Sequence, residues 1–137
     1  MVSMVLFGTE EWVQAFIKSV NNNSKFQRRA RKWEGDFIFT VKADGALETD
    51  IYMWVDLYHG KAIDGRVLMS TEEVKAEGIL KGSYTNWVKL IEGHLELIDS
   101  MMNNIFRYEG DIIKMMQNVR VGLELVSSAR AIETEFY

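Results

Sequence analysis

The chain has no cysteine, no proline and only two histidines among its 137 residues. Without cysteine it forms no disulfide and offers no thiolate nucleophile or thiolate metal ligand, a composition that fits a reducing compartment. No apolar run approaches the roughly 18 residues of a membrane span, and the segment MVSMVLF lacks the charged start and cleavage region of a signal peptide. We therefore expect a single domain, residues 1–137, in the cytoplasm.

An excess of positive charge is also missing. The 16 lysines and arginines are outnumbered by 20 acidic residues, which gives a net charge of -4 and an isoelectric point near 5.2. Nucleic-acid phosphates require a basic footprint, so we expect no DNA or RNA partner.

Residues suited to catalysis or metal binding are sparse. His59 and His94 each stand beside a glycine in a predicted turn, where a solvated side chain is expected rather than a general base. Ser83 precedes a predicted helix and is explained as its cap, and no G-x-S-x-G motif is present. The histidines and carboxylates do not show metal-ligand spacing. We predict no catalytic residue, no metal site, no cofactor and no enzyme activity.

Helical periodicity dominates the N-terminal part of the chain. Thr9 can cap a first helix that carries Glu10 and Glu11 in its first turn, where carboxylates complement the helix dipole. Its apolar face ends in the polar run 21–23. Ser24 is predicted to open a shorter helix before Gly35 breaks it. The apolar residues of the two helices are Trp12, Val13, Phe16, Ile17 and Val20, then Phe26, Ala30 and Trp33.

Alternation with a period of two then predicts strands. The first covers residues 36–43, and residues 43–46 supply turn chemistry for a tight hairpin to a second strand at 51–58. A third strand is predicted near 66–70. Residues 71–81 are ambiguous, because Ser70 and Glu73 have capping-box spacing and a helical turn can precede a strand through residues 78–80.

The last third of the chain predicts helices separated by one strand. A helix capped by Ser83 or Thr85 ends at Gly93, and a short helix covers residues 97–102. A strand at 105–108 leads to Asp111, which can cap a long helix. We predict that this helix turns inward the residues Ile112, Met115, Met116, Val119, Leu123 and Val126. The paired methionines on these faces suit ligands of imprecise shape, and the lack of catalytic side chains predicts a hydrophobic container.

Three segments carry a resemblance to a known family: SYTNWVKLIEG, LELIDSMM and YEGDIIKMM. Together they resemble the C-terminal half of the sterol carrier protein 2 (SCP-2) family, particularly its short single-domain prokaryotic members. WEGDFIFTV and IYMWVDLYHGK resemble it more loosely. The resemblance implies an α/β fold of the α+β type, with a mainly antiparallel five-stranded sheet covered by helices. It also implies an apolar tunnel between the layers that holds a fatty acid, fatty acyl-CoA, sterol-like or other lipid.

The sequence departs from the family pattern at two places beside the short methionine-rich helix. Leu97 stands where a proline is usual, and Asn104-Ile105 stands where Gly-Lys is common. The first change removes a rigid helix start and the second a flexible, charged turn. Both bear on the size and opening of the pocket rather than on the fold.

We therefore predict a non-enzymatic protein that binds a hydrophobic ligand and transfers it between membranes or enzymes. Each apolar residue taken alone is explained as ordinary core, and only the convergence with the family favours a tunnel. The predicted ligand contacts are Phe39, Met53, Trp87, Ile98, Met101, Met102, Met115, Met116 and Val119. A filled core in a protein-interaction or dimerisation module is the alternative, and a small enzyme acting on a lipid-like substrate is the third.

Two surface features bear on partners. The basic run 25–32 is explained by solvated charges near a helix end, with transient contact to anionic membrane headgroups or acyl-CoA phosphates as the functional alternative. Tyr52, Trp54 and Tyr58 share one face of a predicted strand, and such an exposed aromatic face suits a homodimer or a protein partner.

Overall fold

A computed structural model of the protein describes residues 4–137, which form six helices and seven strands. The helices are α1 (Glu10–Asn21), α2 (Ser24–Arg29), α3 (Tyr84–Glu92), α4 (Leu97–Met102), α5 (Ile112–Gln117) and α6 (Val119–Arg130). The strands are β1 (Val5–Leu6), β2 (Glu34–Lys42), β3 (Ile51–Tyr58), β4 (Lys61–Leu68), β5 (Gly78–Ser83), β6 (Arg107–Gly110) and β7 (Thr134–Glu135).

Five strands form one sheet in the order β4-β3-β2-β5-β6. Three of its four pairings are antiparallel, and only β2 and β5 run parallel, because the chain crosses from the β4 edge to the far side of β2. The mainly antiparallel five-stranded sheet is therefore confirmed. A separate parallel pair joins β1 to β7, which the sequence analysis did not predict.

The best predicted elements have clear local signals. Thr9 caps α1 by accepting a hydrogen bond from the Trp12 backbone N–H at 3.2 Å. Ser83 caps α3 through Asn86, and Gly93 ends it with φ at 88°, in the left-handed region where glycine lacks a Cβ penalty. The helices at 10–21 and 84–92 and the strand at 51–58 are confirmed.

Several boundaries in the first half were wrong. The helix opened by Ser24 stops at Arg29, well before Trp33. The connection after β2 spans residues 43–50 rather than a tight turn at 43–46, because the Asp50 carboxylate accepts hydrogen bonds from Ala43 N–H at 2.7 Å and Lys42 Nζ at 2.6 Å. Strand β4 begins at Lys61 rather than Arg66, since the left-handed pair His59 and Gly60 turns the chain at once.

Residues 70–74 form a turn without a helix. Glu73 still contacts Ser70, as the capping-box spacing predicts. Its carboxylate accepts hydrogen bonds from the backbone N–H groups of Met69 and Ser70. Strand β5 then follows at 78–83, which settles the ambiguous segment in favour of a turn and a strand.

The long helix predicted from Asp111 is two helices, α5 and α6, and the strand before it lies two residues later than expected. Asn118 breaks the helix with φ at -126° and ψ at 32°, and its Nδ2 donates to the Lys114 carbonyl at 2.8 Å. The break changes which side faces inward, so Ile112 and Met116 are exposed rather than buried.

The two faces of β3 differ as the alternation predicts. Met53, Val55 and Leu57 are buried in the core between sheet and helices. On the opposite face Asp56 lies between Asp36 of β2 and Asp64 of β4 in direct register. Burial and the neighbouring Asp36 carboxylate raise the pKa of Asp56 above its usual value.

We expect Asp56→Asn to stabilise the protein at neutral pH. A carboxyl whose folded pKa is raised favours the folded state below its unfolded pKa, and that advantage is lost as the pH rises through the folded pKa. Removing one like charge from a cross-strand pair is worth about 0.2 to 1 kcal/mol. Thermal unfolding at pH 7 and at pH 3 checks this, because the gain should disappear at pH 3. An equal gain at both pH values would contradict the charge explanation.

Candidate functional site

An apolar cavity lies between the sheet and the helical layer. The empty space between its lining atoms, including the part open to solvent, is about 680 Å³. The cavity itself is narrow, with a volume of about 60 Å³. The lining residues are Trp12, Phe16, Phe37, Phe39, Met53, Leu80, Trp87, Leu90, Ile91, Leu97, Met101, Tyr108, Met115, Gly122, Leu125, Val126 and Ala129.

Both layers contribute to the lining, because the periodicity of each element turns its apolar residues toward the other layer. Alternate residues of β2 place Phe37 and Phe39 on the covered face of the sheet. On α6, Gly122, Val126 and Ala129 recur at helical spacing and form the opposite wall. The cavity is therefore a feature of the interface between layers rather than of any one element.

Polar atoms of the lining residues are turned away from the empty space. The indole N–H of Trp87 donates to the Thr40 carbonyl at 2.9 Å, and that of Trp12 donates to Thr134 Oγ1 at 3.0 Å. These bonds leave the apolar faces of both rings for the cavity. The site offers apolar contact to a ligand and little hydrogen bonding.

Tyr108 is the only ionisable residue among the described residues of the lining. Burial, followed by the nearby carboxylates of Glu77 and Asp111, raises the pKa of Tyr108 to about 12. The phenol therefore stays neutral at physiological pH, and the wall carries no charge. The Tyr108 side chain lies over Gly78 of β5. Any other residue at position 78 would place a Cβ in contact with the tyrosine hydroxyl, too close to be tolerated.

Helix α5 is fixed beside the cavity by Lys114. The Lys114 Nζ donates to Glu77 Oε1 at 2.5 Å and to the Glu34 carbonyl at 2.7 Å, and it lies 4.4 Å from the ring centre of Trp33. None of the residues in α5 is buried. These polar and cation–π contacts hold the helix so that Met115 faces the cavity.

The structure brings five of the nine predicted ligand contacts together around this cavity. Phe39 and Met53 come from the sheet, and Trp87, Met101 and Met115 come from three different helices. Met101 and Met115 are half-buried and pack against the core. Their role as ligand contacts remains a prediction.

The structure places the other four predicted contacts outside this lining. Ile98 is 40% exposed, Met102 76% and Met116 72%, because each neighbours a residue that takes the inward position on its short helix. Val119 lines a separate polar depression of about 240 Å³ with Arg29 and with residues 117–121 of the α5–α6 junction. The break at Asn118 removes Val119 from the face shared with Met115.

Sequence reasoning did not name the remaining twelve lining residues as ligand contacts. They are Trp12, Phe16, Phe37, Leu80, Leu90, Ile91, Leu97, Tyr108, Gly122, Leu125, Val126 and Ala129. Most lie on apolar faces that periodicity identified as core, and the pattern is the same for a core residue and a cavity residue. Gly122 offered a separate signal, since a glycine on the inner face of a helix leaves space.

Five lining side chains are only half-buried, and the other twelve are buried. The half-buried ones are Phe39, Met101, Tyr108, Met115 and Val126.

The described residues include neither a metal-binding cluster nor a buried histidine. Residues 4–137 hold no group of three or more side chains suited to a metal ion. His59 is exposed and contacts Glu34 through Nε2 at 2.9 Å, and His94 is exposed too. No helix within the described range is long and apolar enough to span a membrane.

A mainly antiparallel sheet, a helical cover and an uncharged cavity between them define a small α+β carrier of hydrophobic ligands. The model of the SCP-2 sterol transfer family matches residues 13–121, and the chain belongs to that family. The family resemblance seen in the sequence is thereby confirmed. The family is one of lipid-binding proteins rather than enzymes.

Solved structures have the same fold. A crystal structure of sterol carrier protein 2 matches with a TM-score of 0.84 and 24% identity, over 92% of this chain and 98% of that one. The solution structure of a conserved hypothetical protein from Thermus thermophilus matches with a TM-score of 0.83 and 25% identity, over 98% of this chain and 94% of that one. The structure of a palmitated SCP2L2 from Aedes aegypti matches with a TM-score of 0.54 and 16% identity, over 93% of this chain and 99% of that one. No curated protein matches the sequence significantly.

Proposed function

We propose that the protein binds one slender hydrophobic ligand, a fatty acyl chain, in the cavity and carries it without chemical change. The observation that supports this most is the empty space itself, enclosed by apolar side chains from both layers. A void in a protein core costs stability, because its lining atoms lose contacts that a filled core would make. A ligand would restore those contacts.

Energetics favour an acyl chain if the cavity encloses it. Burying a methylene contributes about 0.8 kcal/mol, so a chain of about 16 carbons gains roughly 13 kcal/mol gross. Lost freedom on association costs an estimated 4 to 15 kcal/mol, so enclosure and preorganisation decide the affinity. The cavity itself, about 60 Å³, is smaller than the roughly 300 to 1,000 Å³ typical of small-molecule pockets, so a bound chain must enlarge it.

The narrowness of the cavity favours an acyl chain over a rigid sterol. The cavity volume is only about 60 Å³, so any guest must displace lining side chains. Met101 and Met115 are unbranched and lie on two short helices, so they can adapt to a thin, flexible guest. The palmitated form of the Aedes aegypti protein is a precedent for this ligand in the same fold.

Native mass spectrometry of the purified protein, before and after solvent extraction, tests the proposal. We expect an adduct of one lipid per chain that extraction removes. The extracted protein should then take up a fluorescent fatty acid, and palmitate should displace it more effectively than cholesterol. Repeated recovery of empty protein together with no uptake would count against a container, and preferential displacement by cholesterol would assign the cavity to sterols.

A further inference from the structure

The five-stranded sheet has two edges, and side chains of α1 cover one of them. Along the edge strand β4, Asn21 accepts a hydrogen bond from the Ala62 N–H at 2.8 Å and donates to the Ala62 carbonyl at 2.9 Å. Further along the same strand, Gln14 Nε2 donates to the Gly65 carbonyl at 3.1 Å. Side chains of α1 therefore bind backbone groups that would otherwise be free to pair with another strand.

The opposite edge of the sheet, β6, is open. Within residues 4–137, the backbone groups of residues 107–110 are hydrogen-bonded to β5 and to no other element. The ring of Tyr108 leaves this edge clear, because it lies over Gly78 of β5. An edge strand presents a row of unpaired N–H and C=O groups, which is a template for pairing with another chain.

Two charged side chains on β6 have no partner of opposite charge. Tyr108 lines the cavity, so the alternation of the strand places Arg107 and Glu109 on the other face of the sheet, where both are exposed. Neither of them forms an ion pair with another described residue. Arg107 stands directly opposite Lys81 of β5, which carries a like charge, and Glu109 stands opposite the apolar Ile79. A partner strand that brings a carboxylate to the arginine and a cation to the glutamate is therefore favoured.

We propose that the protein forms a two-fold dimer in which β6 pairs antiparallel with β6 of a second copy. When the two Tyr108 residues stand opposite each other, Arg107 of each chain stands opposite the partner's Glu109. The same register thus forms both charge pairs at once, and each surface patch meets its own copy, as two-fold symmetry requires. This interface goes beyond the proposed acyl-chain site and does not depend on it.

The helices on either side of β6 in sequence add apolar side chains to this edge. Helix α4 ends at Met102, which is 76% exposed, and α5 carries Ile113, which is 70% exposed. Both helices lie on the covered side of the sheet, since Met101 and Met115 line the cavity. Antiparallel pairing brings the end of one strand beside the start of the other, so α5 of each chain comes next to α4 of its partner. Ile113 and the partner's Met102 would then shield each other from water.

The aromatic face of β3 fits a second copy less well than this edge. Trp54 Nε1 donates to Asp36 Oδ2 at 2.8 Å, and the guanidinium of Arg66 lies 5.8 Å from the centre of the Trp54 ring. The polar and aromatic groups of that face are therefore already engaged within the chain. The charges and backbone groups at the outer edge of β6 are not.

Sedimentation equilibrium at increasing protein concentration tests the association. We expect the mass to rise from 15.9 kDa for one chain toward twice that value. R107E and E109R should each weaken the dimer about tenfold or more, because two attractive cross-strand pairs become repulsive. R107E/E109R exchanges the two charges and should restore the wild-type affinity. A single-chain mass at millimolar protein would overturn the proposal, and so would a dimer that R107E leaves unchanged or that R107E/E109R fails to restore.

Introduced cysteines test the register, because the chain has none of its own. A mixture of R107C and E109C should form a covalent dimer on oxidation, since directly opposed residues lie within reach of a disulfide. Either variant alone should cross-link far more slowly, because identical positions are two residues out of register and about 7 to 8 Å apart. Equally fast cross-linking by one variant alone would show a different interface.

A second pair of variants tests the flanking helices. Ile113→Glu should weaken the dimer, because it places a charge where an apolar contact is expected. Met69→Glu adds the same charge at a side chain that is 89% exposed beside β4, and it should dimerise like wild type. Equal losses in these two variants would mean that net charge, rather than the β6 edge, controls association, and the proposal would be wrong.

Uptake of a fluorescent fatty acid separates this proposal from the acyl-chain site. R107E should take up the ligand like wild type, since Arg107 does not line the cavity. Normal uptake by a wild-type protein that stays a monomer would refute the dimer alone. A dimer that responds to R107E but takes up no fatty acid would refute the acyl-chain site alone.

Discussion

Met115→Glu is expected to lower the affinity for a fluorescent fatty acid at least tenfold while the protein stays folded. The new carboxylate would face an apolar, uncharged cavity, where an unpaired charge is costly in the presence of an acyl chain. In the empty protein the charge can turn toward solvent, because Met115 is only half-buried and α5 contains no buried residue. Titration of the ligand, with circular dichroism as the check on folding, measures both effects.

The neighbouring residue supplies the control. Met116→Glu introduces the same charge on the same helix, but Met116 points to solvent and lies outside the lining. Its uptake of the ligand in solution should equal that of wild type. Equal losses in the two variants would mean that charge on α5 acts indirectly, and no loss in Met115→Glu would place the ligand elsewhere.

Elements governed by local interactions were predictable to within a residue. The α1 start follows from the Thr9 side chain and its first turn, and α3 is bounded by Ser83 and Gly93. Strand β3 follows from eight residues of unbroken alternation, 51–58. In each case the signal that specifies the element lies within the element or next to it.

The division between α5 and α6 was not predictable in this way. No proline or glycine stands at Asn118, and the apolar spacing continues across it. What fixes the orientation of α5 is the contact of Lys114 with Glu77 and Trp33, residues far away in sequence. Tertiary contacts therefore override a helical pattern that was locally consistent, and the error moved Met116 and Val119 to the wrong side.

The candidate site was predictable in composition but not in extent. Apolar periodicity marks which faces turn inward, and it led to Phe39, Met53 and Trp87. It does not record whether facing side chains meet or leave a gap, because that depends on how closely two layers approach. Gly122 illustrates this, since its effect on the cavity depends on Leu97 of another helix, 3.2 Å from where a Cβ would lie.

Filling the cavity should separate a binding site from an ordinary core. At about 24 cal/mol per Å³, a cavity volume of about 60 Å³ corresponds to about 1.4 kcal/mol of lost stability. Val126→Phe directs a larger side chain from α6 into this space. We expect its free energy of unfolding to rise by up to about 1 kcal/mol and its affinity for the fluorescent fatty acid to fall at least tenfold. Chemical denaturation and ligand titration measure the two quantities.

Opposite movement of stability and binding is what makes this variant informative. Val88→Phe is the control, because Val88 is also half-buried against the core but does not line the cavity. Its larger side chain should leave ligand affinity unchanged and either leave stability unchanged or lower it through overpacking. A loss of stability in Val126→Phe would show that the space beside Val126 is not an empty void. Full uptake of the fatty acid by the same variant would show that the ligand does not lie there.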